Sequence, residues 1–190
     1  MNSTREQLLS TAEGLVRSRG YAGFSFADLT EEAGIRKPSI HHHFPTKEDL
    51  GVALVDEYTD RFDARLLDIE NTTLNALSQL TAYADLYLEG LRDDRACLCA
   101  MLASDHALTP KRVQIGVAAF FEANRSWLES VIVSGQRAGV IDRGSDPADE
   151  ARAFHAAVVG AMFAARTSGR IADFEFVTQT CLKRLKARQA

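Results

Sequence analysis

Apolar residues recur at helical spacing along almost the whole chain. Leu8, Leu9, Ala12, Leu15 and Val16 form the first stripe, and Gly20 is placed to end it. Ser25 opens a second helix, with Asp28 three residues on as a capping-box partner. Leu29 and Ala33 face inward, and Gly34 can take a left-handed turn. A third short helix covers Pro38–His43, with proline in its first turn, and Pro45 breaks it. Thr46 caps the next helix, which continues through Leu50, Ala53, Leu54, Tyr58 and Phe62. Further helices are predicted near 74–91, 96–107, 111–138, 148–168 and 173–188, with Asp146 capping the fourth of these and Pro147 in its first turn. Sustained alternation and Asn-Gly or Asp-Gly turns are missing, so the pattern predicts an all-α protein.

The bulk properties are those of an ordinary soluble globular protein. The first residues, MNSTREQLLSTAEGL, carry charge within their apolar repeat and do not read as a signal peptide. No apolar run approaches membrane-spanning length. Three cysteines, Cys97, Cys99 and Cys181, suit reduced thiols, and the expected location is the cytoplasm. The net charge of −4 does not advertise a nucleic-acid binder. What counts, however, is where the cations lie, and Arg36, Lys37 and Lys47 cluster around the third helix.

Phe24–Leu50 has the layout of a helix-turn-helix: two short helices around a tight turn, with a further helix starting directly after. In such a motif the second helix lies in the major groove. Ile40 and Phe44, four apart, anchor this helix to its own core, which leaves Lys37, Pro38, Ser39, His41 and His42 for groove and backbone.

These residues carry a resemblance to the TetR family of transcriptional repressors. The matching positions are Gly20-Tyr21, Ser25, Asp28-Leu29, Ala33-Gly34-Ile35, Lys37, Ser39-Ile40 and His42-His43-Phe44-Pro45, then Lys47-Glu48-Asp49-Leu50. The resemblance implies an N-terminal three-helix DNA-binding domain over 1–46 and a larger helical ligand-binding and dimerisation domain over 47–190, their boundary inside the helix starting at Lys47. It also implies base contacts from Pro38, Ser39 and His41, and phosphate contacts from Ser25, Lys37, His42 and Lys47. The chain departs from the family's usual residues at Phe24, Thr30, Pro38 and His41. Two of these lie on the reading surface, so no operator sequence carries over.

The stretches 96–105 and 120–141 are similar to a subgroup of the family with a Cys-Leu segment and a Trp-Leu helix. Candidate pocket residues are Tyr83, Tyr87, Cys97, Met101, His106, Phe120, Phe121, Trp127 and His155. Each could equally be core, and such a lining would suit a small apolar or aromatic effector. Cys97 reads either as a small buried side chain or as an oxidant or electrophile sensor, favoured as a thiolate by a helix start. The small residues Ala157, Gly160, Ala161 and Ala164 suit close helix packing, either within the chain or, as the resemblance implies, between the subunits of a homodimer.

An enzyme is disfavoured. There is no phosphate loop, nucleophile elbow or metal-ligand spacing, and the adjacent residues His41, His42 and His43 diverge by about 100° each, so they cannot converge on one ion. No catalytic residue, metal or cofactor is therefore expected. The reading is a homodimeric DNA-binding regulator that recognises a palindromic operator and is released by an effector or by cysteine modification. The competing reading is a helical ligand-binding or adaptor protein without specific DNA binding, motivated by the slight excess of acids in the first fifty residues.

Overall fold

The structure, a computed structural model, describes residues 3–187. Among them are nine helices and no strand, so the protein is all-α. They fall into two compact units: the residues up to 62 with 97–120, and residues 63–96 with those from 121 onward. Two long helices, α4 (Lys47–Thr72) and α7 (Lys111–Arg137), contribute to both.

The first unit is built on α1 (Thr4–Arg19), α2 (Phe26–Ala33) and α3 (Lys37–His43). Ser3 and Glu6 form a reciprocal capping box at the start of α1, whose buried stripe is Leu8, Leu9, Ala12, Leu15 and Val16. Ser25 and Asp28 do the same for α2, which ends at Gly34 in the left-handed conformation (φ 66°). Thr46 and Asp49 cap α4 in the same way. Helix α6 (Leu98–Ser104) packs on α1. It is shorter than the 96–107 its apolar pattern suggests. Its chain turns at Asp105, whose carboxylate accepts the Ala22 amide at 3.2 Å.

Helices α4 and α7 approach closely within this unit because each places a glycine at the contact. A Cβ on Gly51 would lie 2.9 Å from Val113, and one on Gly116 would lie 2.9 Å from Val55. The rings of Tyr58, Phe62 and Phe120 fill the space below.

The second unit packs α5 (Ala76–Arg92), α8 (Pro147–Ser168) and α9 (Ile171–Leu185) against one another. Asn75 caps α5. Asp146 caps α8 by accepting the Ala148 and Asp149 amides, with Pro147 in the first turn as its sequence predicts. Arg143 reaches back to the Gln136 and Arg137 carbonyls and so satisfies the end of α7. The last helix ends at Leu185, before an isolated bridge between Ile141 and Lys186. The expected helix end at 188 lies outside the described residues.

Candidate nucleic-acid interface

Helix α3 turns its apolar side inward. Ile40 and Phe44 are buried, while Lys37, Pro38, His41 and His42 are exposed and Ser39 is half-exposed. Arg36, at the N-cap, is exposed beside Lys37. Arg5 of α1, itself exposed, holds its guanidinium 5.6 Å from the Phe44 ring at the end of α3. Sequence reasoning misses Arg5, because its contact with α3 is made between helices.

The His41 ring is fixed on two sides. Its Nδ1 lies 3.2 Å from the Pro45 carbonyl oxygen, and it packs nearly perpendicular to the Phe26 ring with centroids 5.1 Å apart. The His42 and His43 rings pack edge to face at 5.3 Å.

Two residues expected at phosphates are engaged elsewhere. The Ser25 hydroxyl and amide both donate to the Asp28 carboxylate, at 2.6 and 2.7 Å. Those bonds hold the Asp28 carboxyl below its ordinary range. Lys47 is half-buried. Its ammonium donates to the Tyr21 carbonyl at 2.6 Å and to the Phe24 carbonyl, and it lies over both rings at 4.5 and 4.2 Å. The Tyr21 hydroxyl in turn donates to the Lys47 carbonyl at 3.0 Å. Burial lowers the Lys47 pKa, with the Asp28 and Asp105 carboxylates pulling the other way. Tyr21 is pushed up to about 12 by burial and by Glu48. Lys47 is thus a pin between α4 and the α1–α2 loop, an engagement that its sequence position does not reveal.

The candidate pocket residues are divided between the units. In the second unit Tyr83 stacks on Trp127 with centroids 5.7 Å apart and meets Tyr87 at 5.5 Å, the two hydroxyls sharing a hydrogen bond of 3.2 Å. The Trp127 indole N–H donates to Glu70 at 2.7 Å. Phe121 and His155 form a separate pair at 5.3 Å. In the first unit Phe120 belongs to the Tyr58–Phe62 cluster, Met101 is half-buried, and His106 stands exposed in the turn after α6, so it lines no interior.

Cys97 is the N-cap residue of α6 and is buried. Burial pushes its thiol up, outweighing a hydrogen bond with Tyr58, and Cys99 is raised further by burial. The thiolate that a helix start was expected to favour is therefore suppressed. With Ellman's reagent on the native protein, we expect half-buried Cys181 to react first and Cys97 and Cys99 only on unfolding. Rapid labelling that disappears in Cys97→Ser would reinstate Cys97 as a reactive site.

On α8, Ala157, Gly160 and Ala164 lie on an accessible side, and a Cβ on Gly160 would meet open space. Ala161 is buried, because one further residue turns it through about 100° onto the inner face. Nearby in sequence, Phe176 of α9 is 71 % exposed, a large apolar side chain that the helical pattern alone does not single out.

Comparison with known proteins accords with this geometry. The family described as bacterial regulatory proteins, tetR family, matches residues 8–54. A crystal structure of a TetR-family transcriptional regulator from Agrobacterium tumefaciens superposes with a TM-score of 0.92 at 35 % identity, over 96 % of this chain and 97 % of that one. A TetR transcriptional regulator from Legionella pneumophila gives 0.88 at 33 % identity, over 98 % and 99 %. Among curated proteins, the HTH-type transcriptional regulator CymR of Pseudomonas putida is 30 % identical over 132 residues, 67 % of this chain; the match spans 63 % of CymR's own length. These relatives are regulators rather than enzymes. Among the described residues no helix is long and apolar enough to cross a membrane. With a helix-turn-helix that matches the family's model and a fold shared along nearly its full length, this chain belongs to the TetR family of bacterial transcriptional regulators.

Proposed function

We propose that the protein is a homodimeric repressor. Its N-terminal domain (1–46) reads a palindromic operator, and the rest of the chain (47–190) pairs subunits and takes up a small apolar or aromatic effector that releases the DNA. The observation that carries this reading is the division of α3: Ile40 and Phe44 are buried, while Lys37, Pro38, His41 and His42 are presented to solvent with Ser39 beside them. Lys37 and His42, together with Arg36, supply the cations for phosphates, while Lys47 and Ser25 are also engaged within the protein. Pairing uses the open sides of α8 and α9, at Ala157, Gly160, Ala164 and Phe176. The aromatic cluster of Tyr83, Tyr87 and Trp127 supports the chemistry of the effector. An effector acts only through a difference in affinity between the DNA-competent and incompetent states.

Selection from a random duplex pool should enrich a palindrome whose half-site centres lie about 34–36 Å, or a multiple, apart. Affinity for it should fall steeply with salt. The engagement of Ser25 and Lys47 within the protein favours one competing reading, an effector-binding protein that has lost specific DNA binding. A folded dimer that enriches nothing in the presence or absence of candidate effectors would decide for it.

A further inference from the structure

The fixed ring of His41 has a consequence for what α3 can read. A carbonyl oxygen only accepts hydrogen bonds, so the 3.2 Å contact with Pro45 requires the proton on Nδ1. In the neutral ring the second nitrogen, Nε2, then carries a lone pair and acts as an acceptor. No hydrogen bond within the described residues uses it, and the side chain is exposed on the reading side of α3. The Phe26 ring packed across it further restricts rotation about the side chain. In this tautomer the free nitrogen of the neutral imidazole accepts only.

In the major groove the four bases differ in what they offer such an acceptor. Adenine presents the N6 amino group and cytosine the N4 amino group as donors. Guanine O6 and N7 and thymine O4 are acceptors and would face the Nε2 lone pair with one of their own. The geometry points to His41 as a specificity-determining residue that selects, at one position of each half-site, a base with an exocyclic amino group over a keto base. This rests on the reading of α3 as the recognition helix. It fixes the chemical class of one operator position, which a helix-turn-helix by itself leaves open.

The test begins with the operator enriched by the wild-type protein. Every base pair of the half-site is then substituted and affinities are measured for wild type, His41→Ala and His41→Gln, after thermal melts show that the exposed substitutions leave the fold intact. In the wild type, replacing the contacted adenine or cytosine with guanine or thymine should weaken binding by about tenfold. Removing only the amino group, with purine in place of adenine or 2-pyrimidinone in place of cytosine, should do the same. His41→Ala should erase the preference at that position alone, and His41→Gln, whose amide oxygen can accept, should restore part of it.

An unchanged base profile in His41→Ala overturns the assignment, as does a loss spread equally over all positions, which would mark a structural or phosphate role. A preference for guanine or thymine at the affected position also overturns it, since those bases need a donor. If the wild type enriches no site at all, the DNA-reading function itself fails. An enriched site with an indifferent His41 removes only the present inference.

Discussion

Replacing Lys47 with methionine is expected to destabilise the protein by about 2–3 kcal/mol and to weaken DNA binding on every sequence without flattening its salt dependence. The magnitude follows from two charge-assisted hydrogen bonds to the Tyr21 and Phe24 carbonyls, with a discount because the side chain is only half-buried. Methionine keeps the apolar stem against the two rings and removes the donors, so the loss reports mainly the polar pin. For a chain of this size the midpoint of thermal unfolding should drop by roughly 5–10 °C. DNA binding suffers because the loop held by Lys47 sets α1 against α2, and α2 supports the reading helix. A phosphate contact predicts the opposite pattern: intact stability and a salt slope smaller by about one. Denaturant titration and a salt series on the same variant separate the two. Lys47→Arg should recover part of the stability, since a guanidinium can still donate to carbonyls.

What was legible in the sequence follows from the range of the interactions concerned. The caps of α2 and α8 were readable because Ser25–Asp28 and Asp146–Pro147 act within a single turn. The inward stripe of α1 and the anchors Ile40 and Phe44 were readable because burial there follows the helical period. The end of α6 was not. Nothing between Ser104 and Pro110 forbids a helix, and the turn at Asp105 forms a hydrogen bond with an amide 83 residues away. Lys47 was legible as a position but not as a direction, since its three donors suit a phosphate and a carbonyl equally well. Ala161 is ambiguous for a related reason. Alanines surround much of α8, and only the packing of neighbouring helices decides which of them remain outside. The aromatic candidates were ambiguous because helical spacing marks core and pocket alike. The structure sorts them into a Tyr83–Trp127 cluster, a Phe121–His155 pair and the Tyr58–Phe120 core.

His155 gives the other large effect, and here pH is the variable. The side chain is 7 % exposed, against the Phe121 ring, and its Nε2 has no hydrogen-bond partner within the described residues. Burial, and secondarily the Arg125 charge, lowers its pKa from 6.5 to about 4. The unfolded chain therefore binds a proton on this residue between pH 6.5 and 4 while the folded protein does not, and stability falls as pH falls through that window. Above 6.5 both states are neutral and the residue adds no pH dependence; below about 4 both are protonated and the loss levels off. The full loss is about 3 kcal/mol. The carboxylates of Asp28 and Asp49, held low by their capping hydrogen bonds with Ser25 and Thr46, add acid sensitivity mainly below the His155 window. Asp85, raised by burial, acts with the opposite sign. Comparing wild type with His155→Leu cancels these background groups, provided protein concentration is held fixed so that any subunit association contributes equally. Urea unfolding at pH 7 and pH 4.5 should show the wild type losing about 2–3 kcal/mol more than the variant. Equal losses in the two proteins would mean that the folded protein accepts a proton at His155 as readily as the unfolded chain, and the buried neutral imidazole would have to be abandoned.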